Sequence, residues 1–215
     1  MLALEKPVIL LGAGGHARVL LSTLLQRGAR VVGFADPGAA PAELLGVPRL
    51  GGDESVVAHD SGEVLLVNGV GSVGDVTNRL RVYEYFRTRG YAFASVIHPS
   101  AIIAPEGELK DGAQIMAGAI LQTGCVVEEN CIINTGARVD HDCIIRQHAH
   151  LAPGVVLSGA VEVGRRAHIG TGAVVIQGVR IGEDAVVGAG AVVLEDVPSA
   201  ATVVGVPARP LTIKA

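Results

Sequence analysis

The sequence is poor in aromatic residues, and this limits the kind of core it can build. Among its 215 residues there is no tryptophan, and there are only three phenylalanines and three tyrosines. Sandwich folds with aromatic-rich cores are therefore disfavoured. Hydrophobic residues nevertheless make up 49% of the chain, alongside 29 glycines. This composition predicts a core of small and branched aliphatic side chains, as in a regular β-solenoid.

Long apolar runs and clusters of basic residues are also lacking. No stretch approaches the roughly 18 consecutive apolar residues of a membrane-spanning helix. The first residues lack the basic segment and apolar core of a secretory signal. With 17 lysines and arginines against 21 aspartates and glutamates, the formal net charge is −4. Without a basic patch, nucleic acid and anionic membranes are not expected as partners. We expect a cytoplasmic protein.

The second half of the sequence contains an unbroken six-residue period. Every sixth residue from Ile97 to Val193 is leucine, isoleucine or valine. The members are Ile97, Ile103, Leu109, Ile115, Leu121, Val127, Ile133, Val139, Ile145, Leu151, Leu157, Val163, Ile169, Val175, Ile181, Val187 and Val193. The residue four positions after each of them is always small or valine. Such a hexapeptide period is the signature of a parallel β-helix.

Three hexads make one triangular coil of 18 residues, each hexad giving a short strand with an inward aliphatic side chain and a tight corner. Residues 97–197 supply about five and a half coils. We therefore predict two domains: residues 1–96, and an all-β left-handed parallel β-helix with a C-terminal tail over residues 97–215. The flat outer faces and open ends of such a rod favour oligomerisation.

The three cysteines all lie in the small inward position of the repeat. They are Cys125, Cys131 and Cys143. Their odd number and the expected cytoplasmic setting argue against a disulfide framework. We interpret them as buried small hydrophobic side chains, with a disulfide or a reactive thiol as the alternative.

Residues 1–96 alternate between strand and helix patterns. Apolar runs at residues 8–11, 31–34 and 64–67 predict strands, and residues 18–27 and 77–89 have the composition of helices that end at a glycine. This order predicts a Rossmann-like βαβ domain, in which three or four parallel strands are covered by helices.

A glycine-rich turn links the first predicted strand to the first helix. Gly12, Gly14 and Ala17 match the G-x-G-x-x-G/A fingerprint, in which backbone amides and a helix N-terminus approach a phosphate group. His16, in the first turn of that helix, could donate to the same anion. Because three or four strands are about half of a dinucleotide domain, a nucleotide diphosphate is favoured over a dinucleotide or a turn without a ligand.

Two further segments are expected at the same edge of the sheet. Asp36 follows the second strand, where an acidic residue that binds ribose would lie. Residues 68–72, which include Gly69, follow the third strand. Since open α/β sheets bind ligands at the carboxyl ends of their strands, both segments are predicted to border the nucleotide pocket.

The six-residue frame also locates the histidines of the β-helix. His141 lies at a corner and is followed by Asp142. An aspartate beside a histidine can orient the imidazole, so that the neutral ring acts as a general base. The alternative is a polar corner exposed to water. His150 and His168 are 18 residues apart and should stack on one face, about 4.8 Å apart.

These features together resemble the left-handed β-helix sugar acetyltransferases. The resemblance rests on the hexads and on residues 14–17 (Gly-Gly-His-Ala), 96–102 (Val-Ile-His-Pro-Ser-Ala-Ile), 133–142 (Ile-Asn-Thr-Gly-Ala-Arg-Val-Asp-His-Asp) and 204–209 (Val-Gly-Val-Pro-Ala-Arg). It covers nearly the whole chain. The similar subfamily contains the bacillosamine-pathway and perosamine N-acetyltransferases and the sialic acid O-acetyltransferases.

The resemblance implies a homotrimer, with active sites between subunits, that uses acetyl-CoA and no metal. The implied acceptor is the amino group of a nucleotide-linked 4-amino-4,6-dideoxy sugar. His141 would be the base and Asp142 its partner, in place of the longer glutamate of some relatives. The other implied site residues are His150, Gly159 (a candidate oxyanion donor), Thr171 and Ala189 for acetyl-CoA, Asn134 near the acceptor, and Gly14, Gly15, His16, Asp36 and Gly69 for the nucleotide sugar. Residues 70–74 differ from many relatives.

Other functions compete with this interpretation. Acetylation of a sugar hydroxyl would use His141 equally well. A scaffold without catalysis would keep the hexads but would have no need of a histidine–aspartate pair. A γ-type carbonic anhydrase shares the solenoid, but its His-x(4)-His spacing is absent, and a zinc enzyme would leave the N-terminal domain unexplained.

Overall fold

The computed structural model describes residues 6–72 and 75–211. The chain divides into two compact units, Met1–Pro99 and Ser100–Ala215. Val73 and Gly74, part of the segment that differs from relatives, lie outside the described residues.

The first unit alternates strands and helices. Its elements are β1 (Val8–Leu11), α1 (Gly15–Gln26), β2 (Val31–Ala35), β3 (Glu43–Leu44), β4 (Val47–Gly51), α2 (Asp53–Val57), β5 (Leu65–Asn68), α3 (Thr77–Arg87), β6 (Ala92–Phe93) and β7 (Val96–Ile97). The predicted strands and both predicted helices are present, with small differences at their ends.

A sheet of six strands forms the centre of this unit, in the order β3-β4-β2-β1-β5-β6. All neighbours are parallel except the antiparallel hairpin of β3 and β4. The expectation of three or four strands is therefore wrong. The additional strands are short or carry polar residues and proline, so they lack the apolar runs that mark β1, β2 and β5.

The unit is held together by an aliphatic and aromatic core. On α1 the buried residues include Ala17, Leu20, Leu21 and Leu24, the spacing of one helical face. One cluster of buried side chains contains Ile9, Leu11, Ala35, Val56, Val64, Leu66, Tyr83, Phe86, Tyr91 and Phe93. The scarce aromatic residues are thus concentrated where α3 and β6 pack on the sheet.

The second unit consists of short strands at six-residue intervals. They are β8 (Ile102–Ile103), β9 (Glu108–Leu109), β10 (Gln114–Ile115), β11 (Ile120–Leu121), β12 (Val126–Val127), β13 (Ile132–Ile133), β14 (Arg138–Val139), β15 (Ile144–Ile145), β16 (His150–Leu151), β17 (Val156–Leu157), β18 (Glu162–Val163), β19 (His168–Ile169), β20 (Val174–Val175), β21 (Arg180–Ile181), β22 (Val186–Val187), β23 (Val192–Val193), β24 (Thr202–Val204) and β25 (Arg209–Pro210).

Strands 18 residues apart pair in parallel, which builds three sheets along a β-helix. Leu151, for example, is in register with Ile133 before it and Ile169 after it. The sheets run β10-β13-β16-β19-β22-β24, β8-β11-β14-β17-β20-β23 and β9-β12-β15-β18-β21, and β25 pairs antiparallel with β24. This confirms the predicted fold class and the 18-residue coil.

The inward aliphatic residues form a continuous core. From Ile115 to Val193 the members of the six-residue series are at most 2% exposed, and at about 1.5 kcal/mol or more for each buried side chain they dominate the stability of the rod. Ile103 and Leu109, in the first coil, are only partly buried. The thiols of Cys125, Cys131 and Cys143 are buried as predicted, and each donates to a backbone carbonyl.

Some glycines lie where successive coils touch, and Gly170 gives a testable case. A Cβ atom on Gly170 would lie 2.6 Å from the Ala189 nitrogen and 2.7 Å from the Val187 oxygen, both backbone atoms of the next coil. Gly170→Ala is therefore expected to lower the free energy of unfolding by about 3 kcal/mol through overpacking. Urea unfolding measures this loss.

The matched control is Gly172→Ala, two residues along the chain. Gly172 has φ +68 and open space around its Cα, so the methyl group costs only the left-handed strain of about 1 kcal/mol. Equal losses for the two variants would contradict the steric argument.

Candidate active site

His141 and Asp142 form a hydrogen-bonded pair at one corner of the β-helix. The pair follows β14, and His141 Nδ1 lies 2.8 Å from Asp142 Oδ2. The His141 side chain is 45% exposed and that of Asp142 67% exposed. The neutral imidazole therefore carries its proton on Nδ1, toward the carboxylate, which leaves Nε2 as a proton acceptor.

The backbone of Asp142 explains how two adjacent residues can meet. Asp142 has φ +59, in the left-handed region. Gly124, Ala160 and Gly178 occupy the same corner in neighbouring coils and are also left-handed. Aspartate tolerates this conformation better than most residues. The bend brings its carboxylate back toward the preceding histidine, which a regular strand would not do.

Hydrogen bonding to Asp142 raises the pKa of His141 above its usual value. The negative charges of Asp140 and Asp142 act in the same direction, and partial desolvation opposes them. Asp140 also accepts a hydrogen bond from the His141 backbone N–H, at 2.8 Å from its Oδ1. Asp140 was not among the predicted site residues, although the order aspartate–histidine–aspartate is visible in the sequence.

Gly159 lies directly beneath the His141 ring, one coil further along. A Cβ atom on Gly159 would collide with Nε2 of His141 and come within 2.5 Å of Cε1. The two coils are joined by the Ala160 N–H, which donates to the His141 carbonyl at 2.8 Å. Among the described residues, the Gly159 N–H donates to no backbone carbonyl. Only glycine leaves room for the ring in this position.

A second polar cluster contains Asn134 and His150. Asn134 Oδ1 accepts the Thr135 N–H at 2.8 Å, and this fixes the orientation of the amide. Asn134 Nδ2 therefore points to His150 Nε2, 3.2 Å away, which must accept the hydrogen bond. His150 is accordingly in its Nδ1-protonated form. Its ring is buried and meets the ring of His168 edge to face, with 4.9 Å between centroids, on the strands predicted to stack.

Thr171 and Ala189 lie at a different corner from His141. They occupy equivalent positions in successive coils, and the Gly190 N–H donates to the Thr171 carbonyl at 2.8 Å. Both residues are exposed. They therefore form part of an outer surface along the rod.

In the first unit, the glycine-rich turn joins β1 to α1. Gly14 is the N-cap of α1, and both Gly14 and Gly15 are exposed, with no atoms near the position of a Cβ. Asp36 Oδ2 accepts the Ala13 N–H at 2.8 Å, and its Oδ1 accepts the Gly38 N–H at 2.8 Å. The Asp36 carboxylate thus ties the turn after β1 to the loop after β2.

Gly69 brings the end of β5 against the same turn. Its N–H donates to the Leu11 carbonyl at 2.7 Å. A Cβ atom on Gly69 would lie 2.5 Å from that oxygen and 2.7 Å from Ala17 Cβ. The carboxyl ends of β1, β2 and β5 therefore converge as the sequence predicted.

Comparison with known protein families supports both units. Residues 7–86 match the PglD N-terminal domain. Residues 160–195 match the bacterial transferase hexapeptide family, a model of six repeats.

Solved structures match almost the whole chain. PerB from Caulobacter crescentus, in complex with CoA and GDP-perosamine, is 38% identical, with 99% of this chain and all of that chain covered and a TM-score of 0.88. The acetyltransferase domain of PglB from Neisseria gonorrhoeae, in complex with acetyl coenzyme A, is 32% identical over 96% of this chain and 99% of that chain, with a TM-score of 0.90. The chain belongs to the hexapeptide-repeat nucleotide-sugar N-acetyltransferases. WeeI from Acinetobacter baumannii shares the fold at 26% identity, with 96% of this chain and all of that chain covered and a TM-score of 0.87.

Within one chain of this acetyltransferase, the site residues of the β-helix form separate groups. His141 and His150 differ by nine residues, which is half of an 18-residue coil, so they lie on different sides of the triangular rod. His141, Asp142 and Gly159 share one corner, whereas Asn134 and His150 lie together elsewhere. The structure therefore joins His141 to Asp142 and Asn134 to His150, but it does not bring the two groups together in a single copy.

The acetyltransferase shows no metal-type cluster in the part of the chain that the structure describes. No three histidine, cysteine, aspartate or glutamate side chains there converge as metal ligands would. None of the helices over residues 6–72 and 75–211 combines the length and apolar character needed to span a membrane.

Proposed function

We propose that this enzyme transfers the acetyl group of acetyl-CoA to the amino group of a nucleotide-linked 4-amino-4,6-dideoxy sugar, with His141 as the general base. The observation that carries the proposal is the 2.8 Å contact between His141 Nδ1 and Asp142 Oδ2. It leaves Nε2 directed away from the carboxylate as an acceptor for a substrate proton. The similarity to PerB, which was crystallised with CoA and GDP-perosamine, supports this acceptor class.

The reaction follows from the chemistry of the amine. The neutral sugar amine attacks the thioester carbonyl, and His141 Nε2 takes the proton that the nitrogen loses. Asp142 stabilises the resulting imidazolium through Nδ1–H. The Gly159 N–H is suited to stabilise the oxyanion of the tetrahedral intermediate. Collapse of that intermediate breaks the carbon–sulfur bond, and CoA leaves with the proton returned by His141. No acyl-enzyme is needed.

Acetyl-CoA binding is assigned to His150, Gly159, Thr171 and Ala189, and Asn134 is placed near the acceptor. Since His141 and His150 lie on different sides of one rod, a complete site requires a second copy of the chain. An outer face that could pack against another copy carries Ile102, Ile120, Val156, Val174 and Val192 at 18-residue spacing, with the exposed Arg138 between Ile120 and Val156. These features support a homotrimer with active sites between subunits.

The nucleotide sugar is assigned to the first unit. Gly14 and Gly15 expose backbone amides at the start of α1, where a phosphate group is favoured. His16, Asp36 and Gly69 complete this pocket. Asp36 accepts two backbone N–H groups, and through them it holds the glycine-rich turn. In the proposed pocket its carboxylate also accepts a hydrogen bond from the ligand.

The experiment that tests the proposal measures CoA release with matched acceptors. UDP-, GDP- and dTDP-linked 4-amino-4,6-dideoxy sugars are compared with the corresponding sugars that carry a 4-hydroxyl group. Turnover with an amino sugar only is the expected result. Turnover confined to the hydroxyl sugars would establish an O-acetyltransferase, and no turnover with any acceptor would favour a scaffold.

The raised pKa of His141 predicts a change in pH dependence for Asp142→Asn. His141 must be neutral to act as a base, so the rate of the natural enzyme falls as pH drops through the raised pKa. Asparagine tolerates the left-handed backbone but lacks the charge. We expect the acidic limb of the profile to move to lower pH, and the plateau of kcat/KM to fall roughly tenfold or more.

The pH profile of kcat/KM for both proteins measures this effect. Since both use the same sugar amine, its own titration cancels in the difference. An acidic limb at the same pH in both proteins would show that Asp142 does not control the protonation of the base.

A further inference from the structure

A fully buried arginine lies near the carboxyl end of β5, at the same end of the parallel strands as the glycine-rich turn. Arg79, on α3, has no exposed surface. A guanidinium group stays charged in proteins, and burying it is unfavourable unless hydrogen bonds compensate for the lost hydration. Arg79 Nη1 donates to the carbonyl oxygens of Asn68, at 2.9 Å, and Val70, at 2.7 Å. The buried charge is therefore directed at the loop that follows β5.

The Asn68 side chain makes two further hydrogen bonds in this region. Asn68 Nδ2 donates to the Arg79 carbonyl at 3.0 Å, and Asn68 Oδ1 accepts the Val70 N–H at 3.2 Å. Asn68 is itself buried. Three hydrogen bonds thus join Asn68 and Val70 to Arg79, in the first turn of α3, and the fourth links Asn68 to Val70 within the loop. A shift of Arg79 must therefore move the loop.

Gly69, the middle residue of this loop, links the position of the loop to that of the glycine-rich turn in the proposed nucleotide pocket. Gly69 packs so closely on Leu11 and Ala17 that a Cβ atom there would collide with both. Two residues on, Gly71 lies beside His16, and a Cβ atom on Gly71 would be 3.5 Å from His16 Cβ. The position of the loop therefore determines where the turn and the first helical residues of α1 lie.

We infer that Arg79 is a positioning residue for nucleotide-sugar binding, acting through the Asn68–Val70 loop on the glycine-rich turn. This inference rests on the proposed function. Arg79 does not touch the ligand or the reacting atoms. Its loss should weaken binding of the nucleotide sugar while leaving acetyl-CoA, which is assigned to the β-helix, unaffected.

The test compares Arg79→Lys with Arg81→Lys in the full-length protein. Lysine keeps the charge but cannot donate in the planar, branched geometry of arginine. Arg81, on the same helix, is exposed and serves as the matched control. We expect Arg79→Lys to raise KM for the nucleotide sugar roughly tenfold, because small displacements of a binding group are costly. In Arg79→Lys, KM for acetyl-CoA and kcat at saturation should change less than twofold. In Arg81→Lys, both KM values and kcat should change less than twofold.

Each outcome distinguishes the inference from the function on which it rests. An unchanged KM for the nucleotide sugar in Arg79→Lys, or an equal rise in both KM values, overturns the positioning role while the natural enzyme remains active. Failure of the natural enzyme to acetylate any nucleotide amino sugar overturns the proposed function itself. If Arg79→Lys does not fold, Asn68→Ser, which removes the side-chain bonds of the same loop, must show the selective rise in KM, and its absence overturns the inference.

Discussion

Replacing His141 with asparagine is expected to lower kcat by roughly 10²–10⁴-fold, the usual contribution of a general base. Asparagine fills part of the same space, but it cannot take a proton from the sugar amine. Binding of acetyl-CoA should change little, because the role proposed for the imidazole is to take the proton of the acceptor. The side chain is half-exposed at a corner of the rod, so the free energy of unfolding should stay within about 0.5 kcal/mol of the natural value.

Steady-state release of CoA and binding of CoA by calorimetry measure the two effects separately. His59→Asn, a histidine substitution in the first unit, is the matched control and should leave kcat unchanged. An His141→Asn enzyme with more than a tenth of the natural kcat would mean that the amine loses its proton to another group or to water.

Gly159→Ala is expected to have the second largest effect, a fall in kcat of about 10²-fold. The added methyl group would overlap the His141 ring. The ring must then rotate away, and the hydrogen bond to Asp142 breaks. Because the imidazole can swing toward solvent, the rod itself should keep nearly its full stability. The fall in kcat therefore comes from displacement of the His141 ring and not from unfolding.

The matched control is Gly178→Ala, one coil further along the same corner. Gly178 has φ +75 and open space around it, so its substitution should cost about 1 kcal/mol of stability through backbone strain and leave kcat unchanged. Thermal unfolding and kcat are measured for both variants. A normal kcat in Gly159→Ala would show that the ring position seen here is not required for the reaction.

The β-helix could be predicted because its period is local and repeated. Each hexad buries one aliphatic side chain and turns one corner, so every repeat carries the same information about strand, corner and core. The pairing of Leu151 with Ile133 and Ile169 follows from this spacing alone. The same frame correctly predicted that Cys125, Cys131 and Cys143 are buried and that His150 stacks on His168.

The N-terminal unit was predicted less completely. The runs that became β1, β2 and β5 are apolar, and these strands lie inside the sheet, whereas β3, β4 and β6 lie toward its edges. Short edge strands bury little and carry weak sequence signals, which is why the strand count was too low. Arg79 gave no signal either, since a single arginine in a polar helix looks like a solvated residue until its burial is known.

The sequence by itself determined the coil period, the inward column of aliphatic side chains, the strand–turn–helix at the glycine-rich turn and the corner at which His141 and Asp142 are adjacent. Only the tertiary structure decided that these two side chains meet at 2.8 Å, that Gly159 leaves room for the imidazole, and that Arg79 holds the loop beside the turn. The reason is physical. A period specifies which residues face inward, whereas contacts between functional side chains depend on left-handed corner torsions and on partners brought close by folding.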